Sequence, residues 1–270
     1  MASQLSASEA LNFARTLDSA LREPREIEPL TKARPELSLE DAYAIQAAGI
    51  RLRQERGERI VGYKMGLTSK AKMEQMNLHS PIYGVLTDRM RVADRGVFRL
   101  EGKIHPKAEP EVAFILGRAL RGKVTPAQAF EACSGVCAAL EILDSRYVGF
   151  KYFSLPDVVA DNCSASYFVV SDEVLSGAAL DPSRLDLSNL EVRLEQDGRL
   201  VEKASSGAVL GNPVNSLVYL CELLAAQGLG LEPGNIVLTG AATTAAPLAP
   251  GPVFRSIVGN VGAASVAVAS

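Results

Sequence analysis

From about residue 92 onwards, the sequence consists of short apolar runs separated by Gly, Pro, Asp and Asn residues. Runs of four to eight apolar residues bounded by turn formers are typical of β-strands. The strands predicted in this way lie at 109–116, 136–143, 165–171, 190–196, 199–203, 235–239, 252–258 and 262–269. Asp197 and Gly198 separate two of them, and this dipeptide favours the type I′ turn of a β-hairpin. We therefore expect a β-rich core.

The first third of the chain instead places apolar residues at helical spacing. Together with two later segments, it predicts helices that span 7–22, 38–57, 69–76, a short stretch after Thr125, and 213–228. Ser38 is a favourable N-cap, and Thr125 with Gln128 forms a capping box. The sequence thus predicts an α+β fold, with a mainly helical part over 1–90 and a β-rich core over 91–270.

Composition narrows the classes of function. With 47% hydrophobic and 22% charged residues and a net charge of -3, the chain is typical of a globular protein, without a basic patch for nucleic acid. Its apolar runs are too short to cross a bilayer, and its N-terminus lacks the pattern of a signal peptide. Four cysteines without metal-ligand spacing predict free thiols in a reducing cytoplasm.

Two glutamates stand at the start of a predicted strand. In the stretch HPKAEPEVAFILG, residues 105–117, Glu109 and Glu111 are two positions apart and precede an apolar run. Residues at this spacing point to the same face of a strand. Adjacent carboxylates beside a core repel each other and lose hydration, so the pair requires something that neutralises it.

A third glutamate, Glu141, lies inside the apolar run 136–143. Three glutamates on buried strands, without a cluster of cationic partners, suit one hard divalent cation such as Mg²⁺ or Mn²⁺. In the alternative interpretation, Glu109 and Glu111 lie on an exposed strand face and pair with Lys107 or Arg118. The pattern leaves both interpretations open.

Lys64 interrupts the otherwise apolar strand IVGYKMGL just before a glycine turn. A lysine in this place either extends to solvent or has a chemical role, because burial readily shifts its pKa. His79 and His105 stand beside prolines in predicted loops and are poor candidates for a general base. No serine or cysteine lies in the context of a catalytic triad.

Several longer segments together resemble one known family. They are IVGYKMGLTSKAKMEQM, SPIYGVLTD, IHPKAEPEVAF, LEILDSRYVGFKYFSLPDVVADNCSAS and LTGAATTAAPLAPG, and they cover the chain from about residue 7 to its end. In this order they resemble the hydratase/decarboxylase family of the fumarylacetoacetase-like superfamily. The resemblance implies a mixed β-sandwich roll core with a helical N-terminal part.

The resemblance also implies a functional site. The family's divalent metal, usually Mg²⁺ or Mn²⁺, would be held by Glu109, Glu111 and Glu141, and its lysine corresponds to Lys64. That lysine would transfer a proton or orient the 2-oxo acid end of the substrate. Residues expected to bind the substrate are Leu67, Thr68, Arg146 and Ser164. For the distal carboxylate of the substrate, Lys72 is a second candidate besides Arg146.

Two reactions of this family are open to such a site: decarboxylation of an unsaturated 2-oxo dicarboxylate and hydration of a 2-hydroxydienoate. Hydratases of the family tend to have an acidic residue in the turn after the short helix, as in PDFG, where this sequence has Ile82 in PIYG. An isoleucine helps to exclude water, so decarboxylation is favoured. A C–C bond hydrolase and a non-catalytic subunit are weaker alternatives. The expected partners are a cognate hydratase and further copies of the same chain.

Overall fold

The architecture comes from a computed structural model, which describes residues 5–69, 73, 81–151 and 154–270. The α-helices within these residues are α1 Ala7–Arg22, α2 Leu30–Ala33, α3 Leu39–Glu55, α4 Pro126–Glu131, α5 Leu155–Ala160 and α6 Val214–Ala225. Single 3₁₀ turns span Asp88–Met90, Val148–Phe150, Asn162–Ser164, Gly177–Ala179 and Ser206–Ala208. None of the described helices is long and apolar enough to cross a membrane.

The β-strands form two sheets. The strands are β1 Ile60–Gly66, β2 Ile82–Thr87, β3 Gly96–Arg99, β4 Lys107–Leu116, β5 Cys133–Leu143, β6 Ala165–Val170, β7 Leu175–Ser176, β8 Glu191–Gln196, β9 Arg199–Ser205, β10 Ile236–Leu238, β11 Ala246–Pro247, β12 Val253–Val258 and β13 Gly262–Ala269. The larger, mixed sheet has the order β2-β1-β10-β4-β5-β6, with β11 beside β4 and β7 beside β5. The smaller sheet has the order β3-β13-β12-β8-β9.

The larger sheet is curled, so its concave face encloses an apolar interior. Leu86, Ala113, Cys137, Phe168 and Leu238, from five different strands, pack together on this face. A bridge between Arg91 and Phe168 brings the chain after β2 against β6, the strand at the other end of the sheet order. The sheet is therefore a half-barrel, and side chains on its concave face are buried.

Two further apolar clusters cover the outside of the half-barrel. The smaller sheet packs against β5 and β6, with Phe254 and Val266 of the smaller sheet in contact with the cluster that contains Leu140 and Val169. The helices cover the remainder, where Leu220 of α6 belongs to the same cluster as Phe114 of β4. Because both faces of β4 and β5 are covered, the three glutamates in these two strands, Glu109, Glu111 and Glu141, are buried.

Most of the secondary structure expected from the sequence is confirmed, as is the α+β class. Helices α1, α3 and α6 and all the predicted strands lie within three residues of their expected positions. Asp197 and Gly198 have φ angles of 51° and 76°, as a type I′ turn requires. The capping boxes at Ser38 and Thr125 are present. The helix expected at 69–76 falls largely outside the described residues.

One local prediction was wrong. Ile82 and Tyr83 were expected in a turn, but they begin strand β2, which pairs antiparallel with β1. The PIYG segment has the β-branched and aromatic residues of a strand, whereas the turn was inferred from the resemblance to the family. The proposed division at residue 90 stays a prediction, although β1 and β2 belong to the same sheet as β4 and β5.

Gly62 allows β1 to approach β10. A Cβ atom built at Gly62 would lie 1.8 Å from the backbone oxygen of Ile236, its partner in the parallel pairing. We predict that Gly62→Ala lowers the free energy of unfolding by about 2 kcal/mol or more, because the two backbones must separate. Urea titration followed by circular dichroism measures this change.

The matched control is Gly49→Ala in helix α3. A Cβ atom at Gly49 meets nothing within 4 Å, and alanine is the better helix former, so this variant should gain roughly 0.5–1 kcal/mol. Equal stability of the Gly62→Ala variant and the wild-type protein would contradict the close approach of β1 and β10.

Candidate functional site

The pairing of β4 with β5 brings three glutamates together. Glu109 of β4 is directly opposite Glu141 of β5, and Glu111 is opposite Ala139. Glu109, Glu111 and Ala113 share one face of β4 because they alternate along the strand. Ala113 packs in the interior of the half-barrel, so the three carboxylates lie on the concave face.

The three carboxylates are close together and buried. One oxygen from each of Glu109, Glu111 and Glu141 can be chosen so that all three lie within 4.8 Å of one another. The exposed fractions of these residues are 7%, 1% and 1%, respectively. The alternative of an exposed strand face is therefore wrong, because the two strands are covered on both sides.

The hydrogen bonding of these carboxylates fits a metal ion. Glu111 Oε2 accepts a hydrogen bond of 2.7 Å from the backbone NH of Gly240. Glu111 Oε1 and both Glu141 oxygens accept no hydrogen bond from the described residues. Buried carboxylate oxygens without donors are unfavourable, and a hard divalent cation satisfies them with the oxygen ligands it prefers.

Lys64 lies beside the carboxylates. It is 4% exposed, and its Nζ atom is 3.0 Å from Glu141 Oε1, a contact that is an ion pair without the angles of a good hydrogen bond. Its Nζ also donates a hydrogen bond of 3.3 Å to the backbone oxygen of Cys163. Of the two alternatives for Lys64, the structure therefore supports the buried side chain and not the one that extends to solvent.

The buried charges shift each other's pKa values. Burial opposes the charge on Lys64, but the neighbouring carboxylates, above all Glu141, outweigh it and raise the lysine pKa, so the side chain is an ammonium. Before a cation binds, burial raises the pKa of Glu111 well above its usual range, and the Glu141 carboxylate raises it further. Burial likewise raises the pKa of Glu141, although Lys64 opposes this.

The turn after β1 borders the same site. Leu67 has a positive φ of 56°, and Thr68 is buried. A Cβ atom at Gly240 would lie 2.1 Å from Thr68 Oγ1, so the threonine packs directly on the glycine whose NH binds Glu111. The structure thus brings the predicted substrate-binding residue Thr68 close to Glu111, and Leu67 precedes it in the same turn.

Ser164, another predicted substrate-binding residue, ends a segment of unusual backbone conformation. Asn162, Cys163 and Ser164 have φ angles of 50°, 53° and 57°. The left-handed region costs roughly 1–2 kcal/mol per non-glycine residue, and residues held there cluster at functional sites. The Ser164 hydroxyl is buried without a hydrogen-bond partner among the described residues, so a polar ligand group would stabilise it.

Arg146 is committed to a buried ion pair. Its Nε and backbone NH donate to the Asp161 carboxylate, and its Nη1 donates to the backbone oxygen of Asp144. Burial raises the pKa of Asp161 to about 6, although Arg146 opposes the shift. The predicted contact of Arg146 with substrate stays a prediction. Its observed partner is the residue just before the left-handed segment.

The structure describes some of the remaining candidates, which are the histidines, Lys72 and the cysteines. His105 Nε2 is 2.9 Å from the backbone oxygen of Ser145, and its backbone NH donates to Asp144. This agrees with a supporting rather than a catalytic role. Lys72 and His79 lie outside the described residues. The cysteines are free thiols, and burial raises the pKa of Cys163 to about 12.

Three residues at the site were not predicted: Gly84, Asn162 and Gly240. A glycine opposite a buried lysine is a signal for close packing, but the partner of Gly84 in β1 depends on a pairing that the sequence leaves open. Asparagine is enriched at positive φ, whereas cysteine and serine are not. The left-handed segment 162–164 therefore had only a weak signal.

The chain is similar to known proteins over most of its length. The family described as fumarylacetoacetate (FAA) hydrolase C-terminal matches residues 62–269. A 4-oxalocrotonate decarboxylase from a Pseudomonas species is 46% identical over 240 residues, which cover 87% of this chain and 91% of the relative. A 2-hydroxyhexa-2,4-dienoate hydratase from Comamonas testosteroni is 35% identical and covers 93% of this chain and 94% of its own.

A solved structure agrees with the sequence relatives. The 4-oxalocrotonate decarboxylase from Pseudomonas putida G7, complexed with magnesium and adipate, superposes with a TM-score of 0.92 at 35% identity. The superposition covers 98% of this chain and 99% of that one. The fold and the family expected from the sequence motifs are thus confirmed, and the chain belongs to the fumarylacetoacetate hydrolase family.

Proposed function

We propose that this protein is a 4-oxalocrotonate decarboxylase dependent on Mg²⁺ or Mn²⁺. It would act in the meta-cleavage degradation of aromatic compounds, in the cytoplasm. The observation that carries the proposal is the trio of buried glutamates beside a buried lysine, in a chain 46% identical to a decarboxylase of this specificity. The magnesium and the dicarboxylate adipate bound by the Pseudomonas putida relative support it.

The reaction converts 2-oxo-3-hexenedioate into 2-hydroxy-2,4-pentadienoate and CO₂, with uptake of one proton. The bond to the distal carboxylate breaks, and its electrons move through the conjugated chain to the 2-oxo oxygen. A site that holds positive charge at that oxygen stabilises the transition state more than the ground state. The reaction therefore requires a site with positive charge near the 2-oxo acid group of the substrate and apolar side chains around its conjugated carbon chain.

The residues of the proposed site match these demands. Glu109, Glu111 and Glu141 would hold the cation, which when bound supplies Lewis acidity at the 2-oxo acid end. The Lys64 ammonium lies beside Glu141 and would donate a proton to the oxygen that gains charge, then recover one from solvent. The proposed substrate contacts are Leu67, Thr68, Ser164 and Arg146.

The two ends of the substrate would be held differently. The hydroxyl of Ser164, which has no hydrogen-bond partner among the described residues, offers a hydrogen bond inside the site. Arg146 would orient the distal carboxylate, which requires the guanidinium to serve the substrate in addition to Asp161. Because a carboxylate that is held by a strong ion pair leaves less readily as neutral CO₂, a shared arginine suits this step.

Hydration of 2-hydroxypentadienoate is the second candidate, because the hydratase from Comamonas testosteroni is also similar along nearly the whole chain. Ile82 favours decarboxylation. It is 2% exposed and packs against the end of β1, just before the turn, since a Cβ atom at Gly66 would lie 3.1 Å from its Cγ1. An apolar side chain at this turn provides no base for water.

Self-association and a complex with a cognate hydratase are part of the proposal.

The first prediction concerns the reaction itself. Protein stripped by a chelator should lose CO₂ release from 4-oxalocrotonate and regain it when Mg²⁺ is added, because the carboxylates then hold their cation again. A coupled CO₂ assay, run beside a hydration assay on 2-hydroxypentadienoate, measures both candidate activities. Metal-independent CO₂ release, or faster hydration, would overturn the proposal.

The second prediction concerns the ligands. Glu111→Gln should weaken Mg²⁺ binding by about 100-fold or more, because a neutral amide replaces a carboxylate with an oxygen, Oε1, that no described residue donates to. Isothermal titration calorimetry measures the affinity, and thermal melting shows that the variant is folded. Glu222→Gln, at an exposed position of α6, is the control and should bind Mg²⁺ normally. Normal affinity in the Glu111 variant would remove Glu111 from the ligand set.

The third prediction is a pH dependence. The raised pKa values of Glu111 and Glu141 mean that the metal-free folded protein binds protons more tightly than the unfolded chain. These two glutamates therefore stabilise the metal-free fold at low pH. Their contribution to the free energy of unfolding is lost as the pH rises from the pKa of an unfolded glutamate, roughly 4.3, through the raised pKa values of the folded state. Mg²⁺ needs the ionised carboxylates, so its affinity falls as the pH falls through the same range.

Melting temperatures measured with Mg²⁺ and with chelator at a series of pH values test this linkage. The stabilisation by Mg²⁺, taken as the difference between the two, should increase with pH. A difference that stays constant across the series would show that these carboxylates do not titrate with metal binding.

A further inference from the structure

We propose that Asn162 is a positioning residue for Lys64. Its side-chain amide fastens the left-handed segment Asn162–Ser164 to strand β2 and thereby holds the Cys163 backbone oxygen against the Lys64 ammonium. The inference rests on the proposed function, since it concerns the lysine assigned to proton transfer there. Asn162 itself would not touch the substrate.

The amide of Asn162 binds the backbone of β2 at both ends. Its Oδ1 accepts a hydrogen bond of 2.8 Å from the Val85 NH, and its Nδ2 donates one of 2.9 Å to the Val85 carbonyl oxygen. The side chain therefore pairs with Val85 as a neighbouring strand would. Asparagine is also the residue, after glycine, that best tolerates the φ of 50° found here.

Further contacts fix the two residues that follow. The Cys163 thiol donates to the backbone oxygen of Tyr83 at 3.1 Å, so the segment is tied to β2 at a second point. The backbone NH of Asp144 donates to the Ser164 oxygen at 3.0 Å, which ties its far end to the chain after β5. Three consecutive non-glycine residues in the left-handed region persist only where the surroundings determine them in this way.

The segment is also in contact with the stem of the lysine. Gly84 is paired with Lys64 across β1 and β2. A Cβ atom built at Gly84 would lie 2.6 Å from the Asn162 backbone oxygen and 3.1 Å from Lys64 Cδ. The lysine, the glycine and the segment thus fit together without space for one more carbon atom.

The consequence for Lys64 is a defined direction for its ammonium. A lysine side chain has four rotatable bonds and three N–H donors, so burial alone does not orient it. Among the described residues, its partners are Glu141 Oε1, an ion-pair contact at 3.0 Å, and the Cys163 oxygen, a hydrogen-bond acceptor at 3.3 Å. These two contacts fix the direction of the ammonium and leave it an N–H for a substrate oxygen.

Two asparagine variants test the proposal. Asn162→Gly keeps a residue that accepts positive φ but removes both hydrogen bonds to Val85. Asn260→Gly is the matched control, because Asn260 also has a positive φ, of 60°, and lies exposed in the turn between β12 and β13. For both variants and the wild-type protein, kcat and KM for CO₂ release, the Kd for Mg²⁺ and the Tm are measured.

For Asn162→Gly we expect kcat to fall by at least about tenfold, with KM within threefold and the Mg²⁺ Kd within twofold of the wild-type values. The ligands and the remainder of the site are unchanged, so only the step that uses the oriented ammonium is impaired. All four quantities should be unchanged in Asn260→Gly. A purely structural role would instead lower the Tm and leave kcat per folded molecule unaltered.

The proposal is overturned if folded Asn162→Gly protein retains kcat within twofold of wild type, or if Mg²⁺ affinity and kcat fall together. If Asn162→Gly does not fold, Asn162→Asp serves in its place. It tolerates positive φ and keeps the acceptor for the Val85 NH, but it loses the donor to the Val85 oxygen. A wild-type protein that releases no CO₂ would refute the proposed function instead, which separates the two failures.

Discussion

The repulsion among three buried carboxylates is the constraint on which the site depends. One oxygen from each of Glu109, Glu111 and Glu141 lies within 4.8 Å of the others, and the Lys64 ammonium is in contact with Glu141. In a medium of low dielectric constant this arrangement is unfavourable without another cation. The rest of the structure sustains it, because strands β4 and β5 are covered on both faces and cannot expose these side chains to water.

Backbone groups around the site contact these charged side chains and fix their positions. The Gly240 NH binds one oxygen of Glu111, and Thr68 packs against the same glycine, so the turn after β1 and the chain after β10 meet beside Glu111. On the other side of Lys64, the left-handed segment presents a carbonyl oxygen. Carboxylate and carbonyl together hold the ammonium, while the hydroxyl of Ser164 remains available.

The sequence predicted those features that depend on local pattern. Helix α1, the N-cap at Ser38 and the hairpin at Asp197 and Gly198 follow from periodicity and turn chemistry, which act within a few residues. The shared face of Glu109 and Glu111 follows from strand alternation in the same way.

Contacts between distant segments were beyond such reasoning. Glu141 was a candidate because it interrupts an apolar run, but its place opposite Glu109 depends on the register of β4 and β5. The two bonds of Asn162 to Val85 join residues 77 positions apart. Gly84 and Gly240 have meaning only through what lies next to them in space. The sequence therefore supplied Glu141 as a candidate, whereas Asn162, Gly84 and Gly240 came from the structure alone.

Strand β10 has a consequence for the order in which the site is built. Its three residues, Ile236–Leu238, separate β1, which contains Lys64, from β4, which contains Glu109 and Glu111. During synthesis the lysine and the glutamates leave the ribosome before the strand that joins their two halves. Pairings this distant in sequence form slowly. The ammonium can therefore take its place beside the carboxylates only after Ile236–Leu238 has been made and has paired with both β1 and β4.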